Sequence, residues 1–166
     1  MRMQRRGVGL VLLLLACKPA TQVTFDISTD VPCDRISGTS ITVGVEGATE
    51  REVPVEVVRQ CTPGGTINAI GTYTLVPAAA KTGVTASIKL AMGVGPDVDV
   101  ESDCTAAKQY ANCVVARRRV SFVTSRSLTV PVELLLKCTG VACDENSTCS
   151  RAGSSSSRPA SRCTKA

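Results

Sequence analysis

The sequence predicts an all-β protein: an antiparallel β-sandwich of about seven strands, immunoglobulin-like or transthyretin-like in outline, with a small disulfide-rich C-terminal tail. Three observations predict this fold. Apolar and polar residues alternate in several short segments. These segments are rich in Val, Ile and Thr and are separated by Gly, Pro, Asp and Ser. No segment repeats apolar residues at the helical spacing of i, i+3 and i+4. A small barrel is the alternative arrangement of the same strands.

The candidate strands follow one another along the chain. Their alternating apolar positions are, in order, Val23, Phe25 and Ile27; Ile41, Val43 and Val45; Val53, Val55 and Val57; Tyr73 and Leu75; Val84, Ala86, Ile88, Leu90 and Met92; Val120 and Phe122; and Leu128, Val130, Val132, Leu134 and Leu136. Pro54 indicates that the third strand either lies at the edge of a sheet or starts at this proline. Residues 105–114 have the composition of one short helix or turn.

The first sixteen residues have the features of a bacterial export signal. Arg2, Arg5 and Arg6 give a positive start, and residues 7–15 form an uninterrupted apolar and glycine run. This run is too short to cross a bilayer, which takes about 20 residues, but it has the length of a signal-peptide core. The sequence therefore predicts an exported protein.

The end of this run, Leu14-Leu15-Ala16-Cys17, resembles the bacterial lipobox. The resemblance implies cleavage before Cys17, a diacylglycerol thioether on its sulfur, and acylation of the new N-terminus. Two or more acyl chains anchor a protein stably in a membrane, whereas one does not. Lys18 in place of an aspartate favours the outer membrane over the inner membrane. The alternative is an ordinary secretory signal in which Cys17 is incidental.

The cysteine count agrees with a lipid on Cys17. Removing this residue from nine cysteines leaves eight, an even number that predicts up to four disulfides in an oxidising compartment. Short spacing favours Cys104–Cys113, and Cys33–Cys61 would join the ends of a strand pair. The remaining four would then pair among themselves: Cys138, Cys143, Cys149 and Cys163. A structural zinc site is disfavoured, because exported thiols are usually oxidised and no Cys-x-x-Cys pair occurs.

Charge is divided unevenly along the chain. Residues 1–16 carry three of the 19 basic residues, so the mature chain has 16 basic and 14 acidic residues. Residues 17–104 hold six Lys/Arg against eleven Asp/Glu, and residues 105–166 hold ten against three. We expect the two halves to neutralise each other within one domain. The alternative is a basic C-terminal face that meets anionic lipid, lipopolysaccharide or an acidic partner.

Four regions are expected. Residues 1–16 are the signal peptide, 17–22 a short tether, 23–137 the sandwich domain, and 138–166 a cysteine-rich, partly flexible tail. The tail cysteines have EGF-like spacing, although the EGF pattern needs six of them and the tail has four. This spacing predicts loops that are held by disulfides because they cannot bury a core.

Several short motifs occur together in this chain: the lipobox, Asp30-Val31-Pro32-Cys33, Ala116-Arg117-Arg118, the Val-x-Phe-Val segment at 120–123, and Cys-x-Gly-Val-x-Cys at 138–143. With them the mature chain resembles cysteine-rich lipoproteins typical of myxobacteria. The resemblance implies an envelope protein and brings no activity with it. A compact Thr-Cys-x-x-Gly-x-Cys ending is expected in such proteins. Here serines follow the Thr-Cys pair and Cys163 comes late, which leaves its pairing open.

An acidic run is the candidate cation site. Asp97, Asp99, Glu101 and Asp103 would project to one side of an extended segment, about 7 Å apart for each second residue. Calcium takes six to eight oxygen ligands and would relieve the repulsion among them. The run lacks the glycine and glutamate that an EF-hand loop requires. The alternative is a solvated face or hinge, and no other cofactor is expected.

Composition argues against several classes of function. The chain has no His and no Trp, with two Tyr and two Phe. Without His there is no Ser-His-Asp or Cys-His pair, and we do not expect an enzyme. Arg117 and Arg119 would point away from Arg118 in a strand, so the three arginines form no single nucleic-acid patch. We expect all three to pair with acidic residues of the first half.

The sequence thus predicts a membrane-anchored bacterial envelope lipoprotein that serves as a structural or binding platform, with a protein or polymer partner in the envelope. The alternative is an adhesin-like or inhibitor-like protein-binding module that presents disulfide-held C-terminal loops. An ordered, disulfide-linked tail would favour the second function, and a frayed tail the first.

Overall fold

Alternating apolar residues form the facing sides of two β-sheets, as the sequence predicts. The computed structural model describes residues 19–78, 83–151 and 161–166. The strands within these ranges are β1 (Gln22–Thr29), β2 (Ile36–Gly44), β3 (Glu56–Val58), β4 (Asn68–Leu75), β5 (Thr85–Val94), β6 (Cys113–Ser121), β7 (Ser127–Leu134), β8 (Ser147–Arg151) and β9 (Ser161–Lys165). The predicted signal peptide and Cys17 lie outside the described residues.

The first sheet has three strands in the order β4-β1-β7. β1 pairs antiparallel with β4 but parallel with β7, so that Val23 lies opposite both Leu75 and Leu128. The parallel pair differs from the wholly antiparallel sandwich that we expected. Alternation indicates which residues share a face of a strand, but it carries no information about strand direction.

The second sheet has four strands in the order β3-β2-β5-β6, and each neighbouring pair is antiparallel. β5 is its longest strand and runs beside β6 from Thr85, opposite Ser121, to Gly93, opposite Cys113. The chain leaves this sheet after β6 and enters β7 of the first sheet through residues 122–126. The described strands therefore form a sandwich and not a closed barrel.

Side chains of both sheets meet in one core. Its fully buried members of largest volume include Phe25 and Ile27 of the first sheet and Ile88, Leu90 and Met92 of the second. Burying an aliphatic or aromatic side chain of this size contributes about 1.5–3 kcal/mol relative to leaving it exposed. The alternating residues of β1 and β5 thus supply much of the energy that holds the sheets together.

The outer face of β5 and β6 is also covered. Ala91 and Val115 pack there against Val100, Cys104 and Tyr110 of the segment that joins the two strands. β6 begins at Cys113, several residues before the predicted strand at Val120, and the predicted helix or turn is a 3₁₀ turn at Ala106–Lys108. A strand buried on both faces has a continuous apolar pattern, which hides its beginning.

Three other predicted strands end earlier or start later than expected. Val53 and Val55 are exposed and precede β3, which begins at Glu56. Pro54 between them lacks the backbone N–H that a strand ladder requires. Val45 is exposed beyond the end of β2, and Leu136 lies in a 3₁₀ turn after β7.

The C-terminal tail is part of the sandwich and not a separate cluster of loops. Its strands β8 and β9 form an antiparallel hairpin in which Cys149 lies opposite Cys163. Cys138 and Cys149 are buried in the main core, contrary to our expectation that the tail buries none. The backbone N–H of Arg117 in β6 donates a hydrogen bond to the hydroxyl of Thr148 in β8 at 3.1 Å. Residues 152–160, which include the predicted flexible serine stretch, lie outside the described residues.

Candidate functional site

All eight cysteines that follow Cys17 form disulfides: Cys33–Cys61, Cys104–Cys113, Cys138–Cys149 and Cys143–Cys163. The prediction of a disulfide-rich β fold is confirmed. The first two bonds lie at the end of the sandwich where β1 finishes and β6 begins. The other two hold the tail, so Cys163 is paired. Cys17, the predicted lipid site, lies outside the described residues.

The acidic run at 97–103 folds into turns and not into the extended segment that we expected. The Asp99 carboxylate accepts hydrogen bonds from the backbone N–H of Glu101 and from the hydroxyl of Ser102, both at 3.1 Å. The Asp103 carboxylate accepts one from the backbone N–H of Asp99 at 2.9 Å. These carboxylates are therefore used to close the turn, and they do not line one side of a strand.

Basic side chains neutralise part of this run. Lys108 lies 2.5 Å from Asp103 and lowers the pKa of that carboxyl, together with the backbone N–H of Asp99. Arg59 lies 3.6 Å from Glu101. Within ranges 19–78, 83–151 and 161–166, no group of three or more His, Cys, Asp or Glu side chains is arranged to hold a metal ion. The geometry fits the hinge alternative better than a calcium site.

Of the three consecutive arginines, Arg117 and Arg119 have different partners from Arg118, as their alternation along a strand predicts. Arg117 and Arg119 form ion pairs with Glu50 and Glu46, two acidic residues of the first half of the chain. Arg118 differs from the expectation that all three pair with acidic residues of the first half: it donates hydrogen bonds to the Arg117 carbonyl at 2.8 Å and to Thr148 at 3.3 Å. The expectation that the two halves neutralise each other is confirmed at these two pairs.

A buried polar cluster lies on the outer face of the four-stranded sheet, built from Glu50, Lys89, Tyr110 and Arg117. Lys89 and Arg117 are register partners on β5 and β6. Glu50 accepts hydrogen bonds from Arg117 Nε at 2.9 Å and Nη2 at 2.6 Å, and from Lys89 Nζ at 3.2 Å. The Lys89 and Arg117 side chains are 8% and 5% exposed, and Glu50 is 16% exposed. Two cations thus share one carboxylate, and all three groups are largely shielded from solvent.

Tyr110 closes this cluster from above. Its hydroxyl donates a hydrogen bond to Glu50, and its ring lies 5.9 Å from Lys89 Nζ and 5.6 Å from the Arg117 guanidinium carbon. Cations at this distance from an aromatic face are attracted to its electron density. Tyr110 has a φ of 53°, a left-handed conformation that is uncommon for an aromatic residue. The Cys104–Cys113 disulfide closes the loop that holds it there.

The cluster shifts the pKa of Glu50, Lys89 and Tyr110. Burial alone would raise the pKa of Glu50, but hydrogen bonds from Tyr110 and Arg117 and the two nearby cations bring it below its ordinary value. Burial lowers the pKa of Lys89, although Glu50 opposes the shift. Burial and the Glu50 carboxylate raise the pKa of Tyr110. The lowered pKa of Glu50 keeps its carboxylate charged at neutral pH, and the raised pKa of Tyr110 keeps its phenol neutral.

In this cluster the charged side chains form ion pairs with one another. Glu50 lies in the segment between β2 and β3, Tyr110 lies between β5 and β6, and both close on Lys89 and Arg117 of the sheet. Each polar head has a partner within the cluster, so the arrangement fixes two loops on the sheet face. Arg117 Nη1 also donates to the carbonyl of Ser147 at 3.2 Å, which extends the cluster to the tail.

A cleft beside the cluster is the candidate binding site. It has a volume of about 200 Å³ and lies between the second sheet, the segment after β2 and the C-terminal hairpin. More cationic than acidic residues line the cleft: the cationic ones are Arg117, Arg118, Arg119 and Lys165, and the acidic ones are Glu46 and Glu145. Because Arg117 and Arg119 are already paired, Arg118 and Lys165 supply its remaining positive character. The cleft can receive an acidic or hydrogen-bonding group.

Sequence reasoning missed Lys89, Tyr110 and Lys165 as members of this site. Glu50 is one of eleven acidic residues in the first half, and nothing in the sequence distinguishes it from the others. One signal was present: Lys89 lies between Ile88 and Leu90, on the opposite face of an alternating strand. A lysine between such residues indicates either a solvated face or a buried partner, and here it is the second.

Among the described residues, no helix is long and apolar enough to cross a membrane. Comparison with known proteins finds no match for this chain among family models, curated proteins or solved structures.

Proposed function

We propose that this chain is a membrane-anchored bacterial envelope lipoprotein, of the cysteine-rich type that its motifs resemble, with a lipid on Cys17 and a disulfide-linked β-sandwich as a binding platform. The observation that carries this proposal is the use of the cysteines. The eight that follow Cys17 are all consumed in four disulfides, which leaves no intramolecular partner for the ninth. A cysteine at the end of a lipobox-like signal then has the lipid as its expected modification.

The disulfides also support the proposed location. Four disulfides in a domain of this size are typical of an oxidising compartment such as the periplasm or the cell surface. Lys18 after the lipid site favours the outer membrane. We propose no catalytic step for this platform. Its partner would be a protein or polymer of the envelope.

The anchor is tested by fractionation of the full chain and of a Cys17→Ser variant expressed in a bacterium with lipoprotein processing. We expect the unchanged chain in the membrane fraction, labelled by a fatty-acid analogue, and the C17S variant unlabelled and outside that fraction. A C17S variant that keeps its label and its membrane location would contradict the proposal. Cys33→Ser is a matched control, because it removes a cysteine without touching the lipobox.

The cleft at the C-terminal hairpin favours a second candidate function, a protein-binding module of the adhesin-like or inhibitor-like kind. Cys138–Cys149 and Cys143–Cys163 each join two parts of the described tail, and Cys138 and Cys149 are buried in the main core. A binding surface on such a hairpin loses little conformational entropy when a partner docks. The positive character of the cleft favours a partner with an exposed acidic group.

Zero-length cross-linking in intact envelopes tests this candidate, because a carbodiimide joins a lysine to a carboxylate in direct contact. We expect a cross-link from Lys165 to an acidic residue of a partner, and its loss in Lys165→Glu. Arg35→Glu makes the same charge change at an exposed position elsewhere and should leave the complex intact. Equal yields of the complex in all three proteins would exclude the cleft as its binding site.

A further inference from the structure

Four exposed apolar side chains gather at the end of the sandwich where β1 begins, which we call the tether end. Val76 follows β4 and is 67% exposed, and Val123 follows β6 and is 49% exposed. Leu128 at the start of β7 and Val84 just before β5 are 37% and 36% exposed. All four therefore lie where strands of the sandwich begin or end on one side.

Pairing within each sheet places these positions at the same end of their strands. Leu128 and Leu75, the residue before Val76, lie on either side of Val23 in register. The backbone N–H of Phe122, the residue before Val123, donates a hydrogen bond to the carbonyl of Val84 at 3.0 Å. The apolar side chains thus belong to both sheets at a single end of the molecule.

The charges of the tether end differ from those of the opposite end. The described segments 19–25, 72–78, 83–87 and 120–129 contain no Asp or Glu, and Arg126 among them is exposed. Acidic residues at this end lie in the segment after β2, where Glu46 is paired with Arg119 and the exposed Glu52 lies beside Gly44. The opposite end carries the acidic turn at 97–103 together with Asp30 and Asp34. An anionic surface would therefore meet no carboxylate on the segments that carry the four apolar side chains.

The route of the chain brings this end close to the proposed lipid. β1 begins at Gln22, five positions after Cys17, and a fully extended chain covers at most about 3.6 Å per residue. The Cα of Gln22 therefore stays within about 18 Å of the Cα of Cys17, whatever the path of the intervening residues. The hydroxyl of Thr21 accepts a hydrogen bond from the backbone N–H of Ser125 at 2.8 Å, which holds the start of the chain on this end.

We propose that the tether end is a membrane-docking surface, in which Val76, Val84, Val123 and Leu128 enter the headgroup region of the bilayer that holds the lipid anchor. This inference rests on the proposed lipid on Cys17. Apolar side chains that enter the interfacial layer by about 5–10 Å add to binding, and a nearby cation adds attraction to anionic lipids. The sandwich would then stand upright, with its acidic end directed away from the membrane.

The absence of Trp from this sequence gives a direct test. Val123→Trp and Val76→Trp each place a single Trp at the tether end. Ile67→Trp is the matched control, because Ile67 is 36% exposed and precedes β4 at the opposite end, about 25 Å away along the strands. The full lipidated chains are reconstituted in vesicles of phosphatidylcholine and phosphatidylglycerol, with and without bromine on the acyl chains. Bromine quenches Trp only at short range.

We expect brominated lipid to lower the emission of V123W and V76W about twofold and that of I67W by less than about a tenth, consistent with insertion to interfacial depth. Equal quenching of all three variants, or quenching of none, would overturn the docking surface. Intact mass of the same preparations shows whether Cys17 carries acyl chains. If it does and no difference in quenching appears, the docking surface is wrong and the anchor stands. If it does not, the proposed function fails, and the docking surface fails with it.

Discussion

Arg117 donates two hydrogen bonds to the same carboxylate oxygen of Glu50, from Nε at 2.9 Å and from Nη2 at 2.6 Å. The two residues are separated by more than half of the described sandwich in sequence, yet the pair lies almost entirely out of water. Glu50 is also the carboxylate that neutralises Lys89. This one side chain therefore determines whether two buried cations are compensated.

Glu50→Gln should destabilise the fold strongly. The substitution leaves Arg117 and Lys89 buried without their counter-charge, and breaking a buried pair in this way costs about 3 kcal/mol. The matched control is Glu46→Gln, because the Glu46–Arg119 pair is much more exposed and pairs of that kind contribute at most about 1 kcal/mol. Guanidinium unfolding with the disulfides intact measures the free energy of unfolding of both variants. Similar losses in the two variants would contradict the role given to Glu50.

Acid should unfold the protein partly through Glu50. Its pKa in the fold lies below the ordinary value of 4.5, so its contribution to stability is complete above pH 4.5 and is lost as pH falls through the lower folded-state value. Free energies of unfolding measured from neutral to acid pH should therefore fall less steeply below 4.5 in E50Q than in the unchanged protein. Parallel curves for the two proteins would show that Glu50 is not the titrating group.

The two tail disulfides should differ in their contribution to the stability of the fold. Their sequence separations of 11 and 20 residues give similar loop entropies, about 3 kcal/mol for each. Cys138 and Cys149 are buried in the core, whereas Cys163 is exposed. The double variant C138S/C149S therefore also buries two hydroxyls and should lose about 1–3 kcal/mol more than C143S/C163S. Chemical denaturation compares them, and equal losses would place Cys138–Cys149 outside the core.

Gly140→Ala should disturb the junction between the sandwich and the tail. Gly140 has a φ of 69°, and a Cβ there would lie 2.7 Å from the carbonyl oxygen of Ala111. Gly65 has a similar φ of 82° with open space around it, so Gly65→Ala incurs the backbone strain alone, about 1 kcal/mol. We expect a larger loss of thermal stability for G140A than for G65A. The reverse order would mean that the Ala111 contact is absent.

The fold was predictable from the sequence wherever one face of a strand meets the core. β1 alternates buried and polar residues along its length, and the even cysteine count indicated the disulfides. The start of β6 could not be read in this way, because Val114 and Val115 are both buried, on opposite faces. The hairpin strands β8 and β9 are polar, and they pair where two disulfides hold them.

The buried cluster was beyond sequence reasoning for a different reason. Glu50, Lys89 and Arg117 belong to three separate elements, and no local spacing connects them. Their contact depends on how the segment after β2 folds over the sheet. The pairing of Arg117 and Arg119 with acidic residues was predictable from charge and strand alternation, but the identity of the partners was not. Long-range polar contacts of this kind follow from the completed topology.

Intact mass of the protein extracted from membranes, before and after reduction, tests the central claim most directly. We predict a chain that begins at Cys17 and carries the mass of added acyl chains. We also predict a gain of two hydrogens on reduction for each of the four disulfides. A chain with an unmodified Cys17, or one that gains no hydrogens because its thiols are already free, would contradict the account.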